Sequence, residues 1–528
     1  MITRQGVVAT SQALASQAGA QILAHGGSAV DAAIAANAVL GVVEPMMDGI
    51  GGDLFVLYWD ANTQKLTGLN ASGPAPRALS PEFLAKQGLT TMPPSGIHAV
   101  TVPGAVDGWA QLHQHYGNLP WERLFASAIA YAEQGFPVTE AIVEHWSAPL
   151  TYERLLSHAE SARVFLPNGK PPAQGEVFCN PDLAGAYRTL AAAGSRAFYE
   201  GEIAAAILNT SQSLGGTMSA EDLSSFSAEW VEPISIDYRG WRVYELPPNG
   251  QGMAALEMLN IMETSPADPS GPFTPAEMHK RIEAMKLAYS DIYCYNADPR
   301  VCDVPVAKLL SKEHARERAA LIDPRSANGQ VRAARMAGSD TTYLTVADRE
   351  GNIVSWIQSI FSNFGSGITV AGMGFALQNR GAGFTLDRAH PNVLAGGKRP
   401  FHTIIPGFME RGDSHIGFGI MGGPNQPLAH AQFVSNLVDY GMNLQQALES
   451  PRFTKFGPDG CDVLIEARVP EATLRELAAL GHEVAVRREY TQEMGRGQAI
   501  LHDSKTGTNY AASDPRADGA ATPEPIVP

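Results

Sequence analysis

The sequence predicts an α+β protein of antiparallel strands and flanking helices, and three observations carry that reading. Residues from Thr341 to Ala347 form an alternating run. A turn signal, Asp348 to Asn352, and a second apolar run, Ile353 to Ile360, follow it, which is the pattern of a β-hairpin. Helical periodicity is equally plain elsewhere: over Pro275 to Tyr295, Met278, Ile282, Met285 and Tyr289 fall on one side. Third, 528 residues with 45% apolar and 17% charged content can bury a large core, as two to four average domains or one large layered domain.

The elements follow in chain order. Residues 7–44 read as helical, with a capping-box shape at Ser28-Ala29-Val30-Asp31 ahead of a mostly apolar face of Val30, Ala33, Ile34, Asn37, Ala38 and Leu40. The glycine turn Asp48-Gly49-Ile50-Gly51-Gly52-Asp53 enters a strand from Leu54 to Tyr58. A phosphate loop needs a helix after its glycines, so nucleotide binding is excluded here. A second strand runs from Lys65 to Leu69. Helices are expected after Val102-Pro103-Gly104, from Trp121 to Gln134 with a stop at Gly135, and over most of 180–226. A strand near Trp241 to Leu246 precedes a helix from Met253 to Met262. Beyond the hairpin come a strand from Gly417 to Met421, the turn Gly422-Gly423-Pro424-Asn425-Gln426-Pro427, and helices from Leu428 to Tyr440 and from Leu444 to Ser450. The tail from Ala511, rich in Ala, Pro and charge, reads as disordered at its very end. No internal repeat is present.

Charge and cysteine usage narrow the function classes. The 38 basic and 54 acidic residues give a net charge of −16, with no Lys/Arg run, which argues against nucleic acid and anionic membranes as partners. The longest apolar stretch, Ala32 to Val43, contains Asn37 and is too short to span a bilayer. Met1 to Gly6 leads into no apolar signal region, and Cys179, Cys294, Cys302 and Cys461 lack metal or disulfide spacing. Reduced thiols and a cytoplasmic location are the expectation.

The hairpin's position gives it chemical interest. The segment from Ile322 to Asp340 is basic, small and polar, and reads as an exposed, mobile linker. A threonine opening a buried strand after such a linker would, if the chain were cut before it, carry a free α-amine beside its own hydroxyl. That pairing is the N-terminal-threonine solution to nucleophilic catalysis. On pattern alone, Thr-Thr starting a strand is also ordinary β-propensity.

The order of short motifs resolves this choice. Gly26-Gly27-Ser28-Ala29-Val30-Asp31-Ala32-Ala33, Val43-Glu44-Pro45, Gly49-Ile50-Gly51-Gly52, Val102-Pro103-Gly104, Leu119-Pro120-Trp121, Gly135-Phe136-Pro137-Val138 and Lys398-Arg399-Pro400 together resemble the γ-glutamyltranspeptidase family of N-terminal-nucleophile hydrolases. The resemblance runs from about Ser11 to about Gly519. It implies a four-layer α/β/β/α sandwich and a precursor that cuts itself before a threonine in a Thr-x-His-x-Ser pattern. Thr341-Thr342-Tyr343-Leu344-Thr345 fits that register, with Tyr343 and Thr345 departing from it. The implied cut lies between Asp340 and Thr341, with Thr342 as the off-by-one alternative. Fragments 1–340 and 341–528 would then pair as a heterodimer forming one domain, and the chemistry requires no metal or organic cofactor.

Departures from the family pattern bear on substrate. The family's carboxylate-clamping arginine aligns with Ser72, and its asparagine after the second-strand hydroxyl aligns with Phe361, while Ser359 keeps that hydroxyl. The glutamine and the amine-binding aspartate align with Arg380 and Gly383, and the Ser-Ser pair after Lys-Arg-Pro aligns with His402-Thr403. The oxyanion glycines correspond to Gly422-Gly423, or to Asn425-Gln426 if Pro424 is the anchor. Gly383 removes the partner of a substrate ammonium, and Arg380 adds a planar donor fork suited to a carboxylate. His402 and Thr403 stand as further substrate-binding candidates. Arg380 as a structural ion-pair residue and His402 as a satisfied loop histidine are the plainer readings. A small amide with a carboxylate and no amine fits best, oxamate being the smallest, as in the oxamate amidohydrolase branch. A γ-glutamyl hydrolase or transferase, an acylase for a bulkier acid, and a non-catalytic relative are the alternatives.

Overall fold

The computed structural model describes residues 1–331 and 341–526. Two seven-stranded sheets, each antiparallel at every pairing, form its centre. One sheet runs in the order Ala520–Pro523, Val7–Thr10, Thr342–Ala347, Ile353–Ser359, Asp53–Asp60, Lys65–Ala71, Glu229–Val231. The other runs Ile2–Thr3, Thr508–Ser513, Arg496–Asp503, Ser414–Met421, Gly407–Arg411, Trp241–Glu245, Ile234–Tyr238. Both sheets draw strands from before residue 331 and from after residue 341.

The sheets pack face to face through small residues. Gly419 lies against the ring of Tyr343, where an added Cβ would stand 2.4 Å from a ring carbon. The Tyr343 hydroxyl shares a 2.7 Å hydrogen bond with Ser355 Oγ, and Ser355 Oγ donates to the Phe418 carbonyl across the gap at 3.3 Å. Glycine in a strand here reflects a close approach of the opposite sheet. Helices Ala13–Ala24, Ala29–Val43, Ala126–Gln134 and Pro181–Ala193 belong to the core on the hairpin's side. Helices Gly252–Glu263, Pro275–Tyr295 and Gln426–Tyr440 belong to the core of the other sheet. This is the four-layer α/β/β/α sandwich of an α+β protein.

The hairpin is where the sequence places it, with Thr342 opposite Gln358 and Ala347 opposite Ile353. The capping box at Ser28 and Asp31 is also present. One expectation needs correction. Residues 7–44 are not one helical region: Val7–Thr10 is a fully buried strand paired with Thr342–Ala347, ahead of two helices. Within the tail from Ala511, Ala520–Pro523 adds an edge strand to Val7–Thr10, and the very end, where disorder is expected, lies outside the described residues. Of the linker, 322–331 is largely irregular chain held at places such as the Ala327 N–H on the Leu480 carbonyl (2.7 Å). Its remainder, including Asp340 of the expected cut, lies outside the described residues.

Candidate active site

Thr341 is fully buried at the mouth of the hairpin, one residue before its strand begins. Its Oγ1 lies 3.4 Å from Ser359 Oγ on the partner strand and 3.5 Å from Gln426 Nε2. Gln426 opens the helix Gln426–Tyr440, and its Oε1 accepts the Ile405 N–H at 3.0 Å, which fixes the amide so that Nε2 is the atom turned to Thr341. The site therefore sits at the positive end of a 15-residue helix, where negative charge is favoured. Thr342 has other neighbours. Its hydroxyl donates to the Gln358 carbonyl at 3.4 Å, and it hydrogen-bonds with Asp48, whose carboxyl burial raises to about 7.

The turn before that helix has an unusual backbone. Gly422 holds φ 141° and ψ 35°, a region that side chains avoid. Within the turn, the Asn425 N–H donates to the Gly422 carbonyl and the Gln426 N–H to the Gly423 carbonyl, while Pro424 has no N–H. These bonds engage the backbone donors of Asn425 and Gln426 and leave those of Gly422 and Gly423 outside them. Gln251 Nε2 ties this turn to the next loop by donating to the Thr403 carbonyl (2.6 Å) and the Gly423 carbonyl (2.8 Å).

Arg380 is fully buried on the short Arg380–Gly383 turn. Its Nη1 donates to Thr403 Oγ1 at 2.7 Å, and its guanidinium lies 4.2 Å from the centre of the Phe361 ring. Phe361 is held at φ 79°, a costly conformation for a phenylalanine, and its N–H donates to Ser359 Oγ at 2.8 Å. Among the described residues, Arg380 Nε and Nη2 have no hydrogen-bond partner. Burial lowers this guanidinium to about 9, with the Asp53 carboxylate acting in the opposite direction, so it is charged at neutral pH.

Asp53 is the residue the sequence reading passed over as part of a glycine turn. It stands opposite Ser359 in the sheet and accepts four hydrogen bonds. These come from the Gly73 N–H (3.0 Å), the Gly104 N–H (3.2 Å), Gln378 Nε2 (2.9 Å) and His402 Nε2 (3.0 Å). Burial pushes its pKa up to about 7, against the pull of Arg380, Gln378 and the Gly73 and Gly104 N–H groups. His402 is fully buried, and burial together with Arg380 and Arg399 keeps its pKa well below the usual value. Its Nδ1 accepts the Ile404 N–H at 3.4 Å, so both ring nitrogens are engaged by the protein. Gly51-Gly52-Asp53 was the available signal: a carboxylate straight after paired glycines, entering a central strand.

The remaining aligned positions are also settled in place. Ser72, where the family arginine would stand, is buried and bonded to Asn70 Oδ1 (2.7 Å) and Asn249 Nδ2 (3.2 Å). At Gly383 an added Cβ would lie 2.7 Å from the Phe401 carbonyl oxygen, leaving no room for an aspartate without backbone movement. Beside that turn lies a cavity of about 550 Å³ bordered by Met92, Tyr293, Gly383, Phe384 and Phe401. The structure thus links Thr341, Ser359, Arg380, Thr403, Gly423 and Gln426 through a continuous set of contacts, with His402 joined through Asp53.

Comparison with known proteins agrees with this architecture. The gamma-glutamyltranspeptidase family profile matches residues 15–524. The chain is 37% identical to the glutathione hydrolase-like YwrD proenzyme of Bacillus subtilis and 34% identical to the oxamate amidohydrolase proenzyme of Klebsiella pneumoniae, in each case over 98% of both chains. The cephalosporin acylase structure from Bacillus halodurans superposes with a TM-score of 0.92 at 42% identity, covering 99% of this chain and 96% of that one. Among the described residues, no helix is long and apolar enough to cross a membrane. The chain is an amide-bond hydrolase and belongs to the γ-glutamyltranspeptidase family.

Proposed function

We propose that the chain is a self-processing amidohydrolase that cuts itself between Asp340 and Thr341 and then hydrolyses a small, carboxylate-bearing amide, with oxamate as the first candidate. The observation that carries the substrate reading is Arg380. A fully buried guanidinium, stacked on Phe361 and, among the described residues, hydrogen-bonded only to Thr403 Oγ1, keeps two N–H edges without a partner there, within the cluster that holds Thr341. A buried charge with unfilled hydrogen-bond donors is costly, and a bidentate carboxylate is its natural complement. Two relatives are proenzymes by name, which supports processing as such; the proposed cut gives fragments 1–340 and 341–528 that stay paired.

In this mechanism, the freed α-amine of Thr341 takes the proton of Oγ1 as that oxygen attacks the amide carbon. Ser359 and Gln426 hold Oγ1 in place. The Gly422 and Gly423 N–H groups face the developing oxyanion, where one donor typically contributes roughly 3–4 kcal/mol. Ammonia leaves and water then releases the acid. Arg380 and Thr403 hold the substrate carboxylate, and His402 acts through Asp53, fixing its carboxylate near Arg380.

A second reading, an acylase for a bulkier acid, draws on the cavity beside Gly383 and on the likeness to the cephalosporin acylase. Turnover of oxamate, oxamide, a glutaryl amide and a γ-glutamyl anilide separates the two. Oxamate as the best substrate supports the small-amide reading; a glutaryl amide turned over faster than oxamate replaces it with the acylase.

A further inference from the structure

We propose that Glu245 and His430 are positioning residues for the Thr341 site: they hold two strands of the second sheet apart where Gln426 enters to meet the Thr341 hydroxyl. This role rests on the reading of Thr341 as the nucleophile.

The two strands are Gly407–Arg411 and Ser414–Met421, whose pairing ends with Gly407 opposite Phe418. Continued by two residues, that register would set Ile405 opposite Ile420, where a hydrogen-bonded pair exchanges both N–H groups for carbonyls. Here both N–H groups go instead to side chains of one helix, Gln426–Tyr440. Gln426 Oε1 accepts the Ile405 N–H at 3.0 Å, and His430 Nε2 accepts the Ile420 N–H at 3.1 Å. Residues four apart share a helix face, so one buried face of this helix replaces the missing rungs of the ladder. With its Oε1 taken by Ile405, Gln426 has Nε2 left for Thr341 Oγ1, 3.5 Å away.

Glu245 decides which way His430 works. Its Oε1 lies 2.7 Å from His430 Nδ1. Because Nε2 accepts the Ile420 N–H, the ring proton sits on Nδ1 and points at Glu245; the other tautomer would set one N–H against another. Both side chains are buried, and burial, with Arg452 adding to it, holds His430 down to about 3, while burial keeps the Glu245 carboxyl well above its usual range. Glu245 Oε2 has no partner among the described residues. The pair is therefore a neutral donor–acceptor couple that uses one oxygen of Glu245, and an amide at that position can do the same work.

The test is a set of four variants of the full chain. Each is assayed for kcat and KM, per cleaved molecule, on whichever of the four amides named above the parent turns over fastest, with melting temperature and extent of self-cleavage alongside. His430→Asn places a polar group near Nδ1 and nothing at the Nε2 position. Its kcat should fall by about 10²-fold, the scale of an ångström's misplacement, with KM little changed. His430→Gln carries an acceptor to the Nε2 position and should recover most of that loss. Glu245→Gln keeps an acceptor for Nδ1 and should stay near the parent, whereas Glu245→Met frees the tautomer and should behave as His430→Asn. Self-cleavage lost in His430→Asn and restored in His430→Gln counts as the same result, since both steps use Thr341 Oγ1. Equal losses in His430→Gln and His430→Asn, parental kcat in Glu245→Met, or a loss confined to KM or to the melting temperature overturns the proposal. Turnover that survives Thr341→Ala would instead remove the nucleophile reading beneath it.

Discussion

At the scale of single residues, the account rests on a charge in the wrong place for a structural role. Among the described residues, Arg380 is buried without a hydrogen-bonded carboxylate, although Asp53 lies close enough to act on it electrostatically. Replacing it by glutamine removes a charge-assisted contact of about 1.5–3 kcal/mol, so kcat/KM for oxamate should fall by about one to two powers of ten. Oxamide, with no carboxylate, should lose far less, and equal losses would refute the clamp. Asp53 adds a pH signature. Burial raises its pKa to about 7, and a bound anion beside it would favour the protonated form further. The oxamate-to-oxamide ratio of kcat/KM should therefore decline as pH rises through 7, and Asp53→Asn should flatten that decline. The ratio cancels the separate requirement for a deprotonated Thr341 amine, which affects both substrates. Gly383→Asp should fail to create γ-glutamyl activity and should lower the melting temperature, because its Cβ meets the Phe401 carbonyl.

At the scale of elements, legibility followed how local each signal was. The hairpin was legible because alternation and turn residues lie within 20 positions of one another, and the helix cap at Ser28 because its two partners are three residues apart. Val7–Thr10 was not. A strand buried on both faces shows a continuous apolar run rather than alternation, and it merged with the helix behind it. The edge strand Ala520–Pro523 was hidden by its composition: Pro523 suits an edge position, yet in sequence it resembles a disordered tail. Its pairing partner is about 500 residues away, a relation that no window of sequence displays. Gly419 gives a test at this scale. Gly419→Val would drive a side chain into the Tyr343 ring and separate the sheets, an overpacking cost of about 1–3 kcal/mol measurable by denaturant melting.

At the scale of the whole molecule, the site exists only when distant stretches meet. Asp53 and Gln251 come from the first part of the chain, and Thr341, Arg380, Thr403 and Gln426 from the second. Motif order pointed to Thr341 as the proposed nucleophile and to Arg380 as the proposed clamp. It could not expose Asp53 or Gln251, whose importance lies in contacts across 349 and 172 positions. Because both sheets interleave strands from the two parts, the fragments should remain together after cleavage and elute as one species without denaturant. The most direct test of the account is intact mass and N-terminal sequencing of the purified active protein. The account predicts two chains, of 340 and 188 residues and about 36 and 20 kDa by length, the smaller beginning at Thr341, with Thr341→Ala uncut and inactive. A fully active single chain of 528 residues, or a smaller fragment beginning at Thr342, would contradict it.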